Sequence, residues 1–195
     1  MQQTAHRARP LKAEGFAHPR SNVAALGIKH GMRVADFGAG SGVYTLGVAE
    51  QLGGSGAVYA VDVQRDLLRR IHNEAVRLGY KNVEVIWADL EIPRASKLAD
   101  SSIDLVLISN LLFQVPDKTP VLREARRIVK SVGRVAIIDW SGSFGGMGPI
   151  KEDVVEREAA LKLCQKTGLA LEREFNAGAH HYGLILRPVP IPPRS

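Results

Sequence analysis

The chain has 195 residues, of which 45% are hydrophobic and 24% charged, a size and balance that suit one globular domain with a sizeable core. A single cysteine, Cys164, excludes an intramolecular disulfide and a cysteine-built zinc site. No apolar stretch is long enough to span a bilayer, and the N-terminus lacks the apolar core of a secretory signal, so the expectation is a cytoplasmic protein without a membrane partner.

The net charge of +6 is partly carried at the ends, by Arg7, Arg9, Lys12, Arg20, Arg187 and Arg194. Such charge suits an acidic partner, nucleic acid included. The absence of any run of more than two consecutive basic residues, with few aromatics among them, disfavours that reading. Residues 1–20 read as a basic N-terminal arm, either loosely packed or a lid carrying Phe16 and His18. The domain proper is expected over residues 21–188, and residues 189–195 form a proline-rich, extended tail.

From Arg33 onward, short apolar runs alternate with longer helical patterns, the signature of a parallel sheet covered on both faces. Residues 34–37 form the first strand and run into a glycine loop. A helix bearing Tyr44, Leu46, Val48, Ala49 and Leu52 follows and stops at Gly53-Gly54-Ser55-Gly56. The second strand spans 57–62. Residues 65–78 carry Leu67, Leu68, Ile71, Ala75 and Leu78 on one helical stripe, ended by Gly79. Strands are then expected at 83–87 and 103–109, the latter apolar enough to be central. Next come a helix over 117–130 with Pro120 in its first turn, a fifth strand over 133–139, and a glycine-rich loop over 141–149. A last helix over 151–166 places Cys164 on its buried side. Runs at 169–175 and 182–186, joined across Asn176-Ala177-Gly178, read as a hairpin. The economical fold is an α/β Rossmann-like sheet of seven strands, one of them antiparallel, with helices on both faces.

The loop Asp36-Phe37-Gly38-Ala39-Gly40-Ser41-Gly42 is the chemistry-bearing feature. Glycines at a strand-to-helix turn let the backbone approach a ligand, and the following helix offers free N–H groups. A P-loop would end in Gly-Lys-Ser/Thr, which is absent. A dinucleotide fingerprint would place its third glycine at Val43, whereas here the glycines fall at 38, 40 and 42. Asp62 closes the second strand, where a carboxylate can take both ribose hydroxyls of a nucleoside. Asp89 closes the third among apolar Trp87, Ala88 and Leu90, a slot suited to an adenine ring. In open sheets, ligands bind beyond the carboxyl ends of the strands, where all three features meet.

Taken together, Val34 through Gly42, Ala60-Val61-Asp62, Trp87-Ala88-Asp89 and Ile103-Asp104-Leu105-Val106 resemble the class I S-adenosylmethionine-dependent methyltransferases. The entry Gly31-Met32-Arg33-Val34 and the segment Leu122-Arg123-Glu124-Ala125-Arg126-Arg127-Ile128 are similar to the small menaquinone/ubiquinone-biosynthesis and arsenite enzymes. The resemblance implies strand order 3-2-1-4-5-7-6 and S-adenosylmethionine as cofactor, with S-adenosylhomocysteine as product. It implies a cofactor site of Asp36, Gly38, Ala39, Gly40, Gly42, Tyr44, Asp62, Val63, Ala88, Asp89, Leu90 and Asn110. The glycines would hold the methionine portion, Asp62 the ribose and Asp89 the adenine. Arsenite methylation needs several cysteines, and this chain has one. Where base N-methylating enzymes carry Asn/Asp-Pro-Pro-Tyr, this chain has Ser109-Asn110-Leu111-Leu112.

Asn110 is placed by topology beside the transferred methyl group, as an acceptor-orienting residue or a turn-forming one. Trp140 either lines the acceptor pocket or packs beneath the glycine-rich loop. Adjacent residues of a strand face opposite sides, so His180 and His181 do not form a metal pair, and no metal is expected. His181 is the candidate general base beside Asn110. With no recognition domain appended, the acceptor is expected to be a small molecule. The alternatives are a methyltransferase acting on protein or RNA, a nucleoside-cofactor-binding protein without catalysis, and a nicotinamide oxidoreductase. The acceptor's identity and the oligomeric state are not encoded in any motif.

Overall fold

The computed structural model describes residues 18–146 and 148–190. Most of the basic arm, with Phe16, and the end of the proline-rich tail lie outside the described residues. Helix α1 (Pro19–Ala25) leads into β1 (Arg33–Phe37), α2 (Val43–Leu52), β2 (Ala57–Asp62), α3 (Arg65–Arg77), β3 (Val83–Trp87) and β4 (Ile103–Ser109). A single 3-10 turn (Leu112–Gln114) precedes α4 (Lys118–Ile128), β5 (Val129–Trp140), α5 (Arg157–Lys166), β6 (Leu169–Asn176) and β7 (His181–Pro188). The strands form one seven-stranded sheet in the order 3-2-1-4-5-7-6, with β7 antiparallel to both neighbours. This is the expected Rossmann-like topology.

Central strands are apolar on both sides because helices cover both faces. Ile103, Leu107, Ile108, Ile137 and Ile138 are completely buried, each contributing about 1.5–3 kcal/mol relative to an exposed side chain. β3 and β6 form the edges and are far more exposed. In α3 the expected stripe holds at Leu68, Ile71 and Ala75, while Leu78 falls just past the helix and is exposed. Cys164 is buried on α5, where the lack of solvation pushes its thiol up to about 12.

The main differences from the sequence expectation lie at three boundaries. The helix over 117–130 ends at Ile128, and the chain passes directly into a β5 longer than expected. Val129 already pairs with Ile103; the register then slips before Leu105 meets Arg134. A Cβ at Gly133, within the slipped stretch, would lie 2.8 Å from the Asp104 carbonyl, so only glycine fits there. The last helix begins at Arg157 rather than 151, because the preceding chain drops Val155 into the core. Pro19 and Arg20, assigned to the arm, belong instead to α1, which packs on α2. Asn22 of α1 is fully buried and donates to the Ala177 carbonyl at 3.0 Å.

Candidate functional site

The site lies where the strand order reverses, beyond the carboxyl ends of β1 and β4, the position at which open α/β sheets form a crevice. The glycine loop is tied to β2 along its length. The amides of Gly38 and Ala39 both donate to the Val61 carbonyl, at 2.8 and 3.1 Å, and the Gly40 amide donates to Asp62 Oδ2 at 2.9 Å. Asp62 Oδ1 takes the Gln64 amide at 2.8 Å. Asp62 therefore fixes the loop's shape as well as facing the crevice.

The glycines have different tasks. A Cβ at Gly40 would meet only the Gly38 carbonyl, at 3.8 Å, so that position opens onto the crevice. Gly42, at φ +80°, caps α2 and sits under α3: a Cβ there would be 2.5 Å from Ile71 Cγ1. Gly42 is not among the residues that line the two lobes of the crevice, and its close approach to Ile71 gives it a packing role.

The crevice has two lobes that share Gly38, Gly40 and Gln114. The first, about 310 Å³, brings together Asp36, Gly38, Ala39, Gly40, Tyr44, Asn110 and His181, joined by Ser109 and Trp140. The second, about 220 Å³, brings together Asp62, Val63, Ala88, Asp89 and Leu90 with Gln64, Glu91, Leu111 and Val115. Apart from Gly42, every residue assigned to the site from sequence thus lines one lobe or both.

In the first lobe, Asp36 is buried and accepts a hydrogen bond from Thr45 Oγ1 at 2.6 Å. Burial raises its pKa to about 6, with the Asp62 charge adding to the effect against the Thr45 bond. Asn110 sits at φ +51°, a left-handed conformation uncommon outside glycine, with its amide bonded to the Ile138 carbonyl. Its Oδ1 is buried without a partner, as is Ser109 Oγ. His181 stacks on Trp140 at 4.3 Å, and neither ring nitrogen has a partner. Burial, reinforced by neighbouring His180, lowers the His181 pKa to about 4, so the ring is neutral near pH 7. His180 precedes β7 and stacks on Phe144. Trp140 fills both roles suggested for it, lining the lobe and lying under Gly148, where a Cβ would be 2.7 Å from the indole. His18, next to Pro19 at the start of α1, is not part of the lining.

The second lobe is more open. Asp89 is exposed and closes its own turn by accepting the Glu91 amide at 2.9 Å. At the rim, Trp87 donates to the Val63 carbonyl at 2.9 Å while the Arg65 guanidinium lies 3.8 Å over its ring. Between the lobes and α4, Asp139 holds the 3-10 turn: it accepts the Leu112 amide at 3.0 Å and the Trp140 amide at 2.8 Å. That turn carries Gln114, which sequence reading missed. Residues 110–117 look like a plain strand-to-helix connection, and only the fold turns Gln114 toward the glycine loop. Ser109 was legible in principle, as the polar residue ending an apolar strand.

A family model described as a methyltransferase domain matches residues 28–181. The chain belongs to this methyltransferase family. A demethylmenaquinone methyltransferase of Bacillus velezensis is 32% identical over 117 residues, covering 60% of this chain and 48% of the relative. An arsenite methyltransferase of Aquipseudomonas alcaligenes is 34% identical over 113 residues, covering 56% of this chain and 33% of the relative. The matches therefore span less than half the length of these curated relatives. A crystal structure of an S-adenosylmethionine-dependent methyltransferase from Aquifex aeolicus superposes with a TM-score of 0.79 at 28% identity, covering 89% of this chain and 90% of that one. The two-lobed crevice thus belongs to a methyltransferase-family domain. No helix among its described residues is long and apolar enough to cross a membrane.

Proposed function

We propose that this chain is an S-adenosylmethionine-dependent methyltransferase acting on a small-molecule acceptor. The observation that carries the reading is the continuous crevice, with Asp62 and Asp89 at one end and Asp36, Tyr44 and Asn110 at the other, meeting at Gly38 and Gly40. The residues fit an elongated nucleoside bearing an amino-acid arm. Gly40 leaves room that any Cβ would fill, and Asn110 Oδ1 is a buried acceptor in want of a donor.

The chemistry such a cofactor supplies is a sulfonium-activated methyl group. The protein's part is to bind, orient and exclude water. Asp62 retains lone pairs for ribose hydroxyls, since an ionised carboxylate offers about four acceptor sites and two are taken. Asp89, with Ala88 and Leu90, would hold the adenine. Asp36 and Asn110 would take the ammonium end of the arm. Trp140 and His181 form a largely apolar wall on the acceptor side, which supports a small acceptor over a macromolecular one. The neutral His181 ring can accept a hydrogen bond or a proton from that acceptor, and Asn110 can orient it.

Calorimetric titration tests the donor: S-adenosylhomocysteine is expected to bind one to one and NAD not at all, and tight NAD binding alone overturns the reading. Label transfer from the methyl donor into extract fractions, treated with RNase or protease, separates small acceptors from macromolecules. Replacing His181 by Ala with methyl transfer unchanged across pH removes it as the base.

A further inference from the structure

We propose that Asn22 is a positioning residue that makes the Tyr44 phenol a hydrogen-bond donor into the crevice, where it takes the carboxylate of a ligand's amino-acid arm. The identity of that ligand rests on the methyl-donor reading above.

The geometry begins in α1, outside the motifs that define the loop and strand ends. Asn22 is fully buried, and its Nδ2 donates both to the Ala177 carbonyl at 3.0 Å and to the Tyr44 hydroxyl oxygen at 2.9 Å. A carbonyl only accepts, so it fixes which end of the amide faces it; the flipped amide would set two oxygens against each other. The second N–H is thereby aimed at the phenol oxygen. With its oxygen accepting from Asn22, Tyr44 must send its own proton elsewhere. Tyr44 lines the first lobe, and the oxygen nearby is Ser109 Oγ, also lining that lobe and buried without a partner. With Asn22 on one side of the phenol oxygen, the proton is left for Ser109 Oγ or for a ligand in the lobe that Tyr44 lines. Burial, with the Asp36 charge adding to it, raises the Tyr44 pKa, so the phenol keeps its proton.

The chemistry of the lobe selects what this donor meets. Asp36 supplies an acceptor for a cation, and Asn110 Oδ1 a second acceptor. A donor facing the same space completes a site for a zwitterion, with ammonium toward Asp36 and carboxylate toward Tyr44. The donor is held from outside the cleft. Asn22 and the Arg173 bond to the Ala25 carbonyl tie α1 to the β6–β7 hairpin.

The test compares two ligands that share a nucleoside and a thioether: S-adenosylhomocysteine, which has the amino-acid arm, and 5′-methylthioadenosine, which lacks it. Their affinities are measured by calorimetry on the full chain and on Asn22→Ala, Asn22→Asp, Tyr44→Phe and the Asn22→Ala/Tyr44→Phe pair. Each single change is expected to weaken S-adenosylhomocysteine about tenfold, the effect of one charge-assisted hydrogen bond, and to leave methylthioadenosine unchanged. The double variant should bind no more weakly than Tyr44→Phe alone. Asn22→Asp preserves the side-chain volume and serves if Asn22→Ala does not fold. Equal losses for both ligands, or an undiminished Asn22 effect in the Tyr44→Phe background, overturn the proposal. Unaltered chain that binds methylthioadenosine but not S-adenosylhomocysteine overturns it alone; binding of neither overturns the methyl-donor reading with it.

Discussion

Asp62 Oδ2 accepts the amide of Gly40 at 2.9 Å, joining the end of β2 to the middle of the glycine loop across 22 residues of chain. The same carboxylate takes the Gln64 amide through its other oxygen, so one side chain shapes both the loop and the start of α3. Hydrogen bonds to a charged group contribute about 1.5–3 kcal/mol each. Asp62→Ala is expected to lose at least that much in urea unfolding and to weaken S-adenosylhomocysteine binding by more than tenfold. Asp62→Asn retains one acceptor oxygen and should fall between. Unchanged stability in Asp62→Ala would mean that the loop holds its shape without the carboxylate.

Gly40 and Gly42 are expected to fail in different ways. Alanine at Gly42 adds a Cβ 2.5 Å from Ile71 Cγ1 at φ +80°, and overpacking with a left-handed alanine costs about 2–4 kcal/mol. Ile71→Val in the same chain should recover part of that loss. Alanine at Gly40 meets no side chain and pays only the conformational term, about 1–2 kcal/mol, but its methyl enters the crevice. Gly40→Ala should therefore lose the ligand and retain the fold, and Gly42→Ala should lose stability first. Thermal unfolding and calorimetry on the two variants separate these outcomes.

The difference between these glycines marks how far the sequence was legible. Strand ends such as Asp36, Asp62 and Asp89 could be placed because the alternation of apolar runs fixes where each strand stops, and topology then gathers those stops at one edge. What spacing cannot convey is which neighbour a residue meets. Gly42 faces Ile71 through a contact between distant segments, and Gln114 comes to line both lobes beside the glycine loop through the fold of the chain after β4. Helix α1 was missed because seven residues beginning with proline carry too little periodicity to announce a helix, and its place depends on Asn22 reaching Tyr44 and Ala177. The early start of β5 was missed for a related reason: no glycine or proline separates Ile128 from Val129, so the helical pattern runs on into the strand.

Arg127 is the keystone of a partly buried cluster that joins α4 to the segment between β3 and β4. It bonds Glu124, Asp100 and the Leu98 carbonyl, and Glu124, only 3% exposed, also takes the Ser96 hydroxyl. Removing the cation would leave a buried carboxylate without its partner, which costs about 3–5 kcal/mol. Arg127→Met is expected to lose stability on that scale and to raise hydrogen exchange over residues 96–100. Arg94 binds Asp100 with its side chain 66% exposed, and Arg94→Met should change stability by less than about 1 kcal/mol. Similar losses in the two variants would show that Arg127 acts as an ordinary surface partner.

Asp139 should impose a pH dependence with the opposite sign to that of a salt-bridged carboxylate. Burial pushes its pKa up to about 7, against the lowering effect of the nearby Trp140, Leu112 and Phe113 amides. The unfolded chain releases this proton near pH 3.9. Between those values the folded state holds a proton that the unfolded state has lost, so rising pH favours unfolding. The associated stability is fully present below about pH 4, declines as pH rises toward 7, and is level beyond. Asp36, raised to about 6, acts in the same direction over a narrower window. Each pKa unit corresponds to about 1.4 kcal/mol, so Asp139 bears on a few kcal/mol. Asn at this position cannot ionise, although it loses one acceptor for the two backbone amides. The Asp139→Asn variant should therefore gain stability relative to the unaltered chain as pH is raised from 4 to 8, whatever its stability at either end. Urea midpoints measured across that range give the difference directly, and contributions from other carboxylates largely cancel. Parallel curves would mean that Asp139 titrates at its ordinary value, and that the 3-10 turn bearing Gln114 is held by a carboxylate already charged in the acid range.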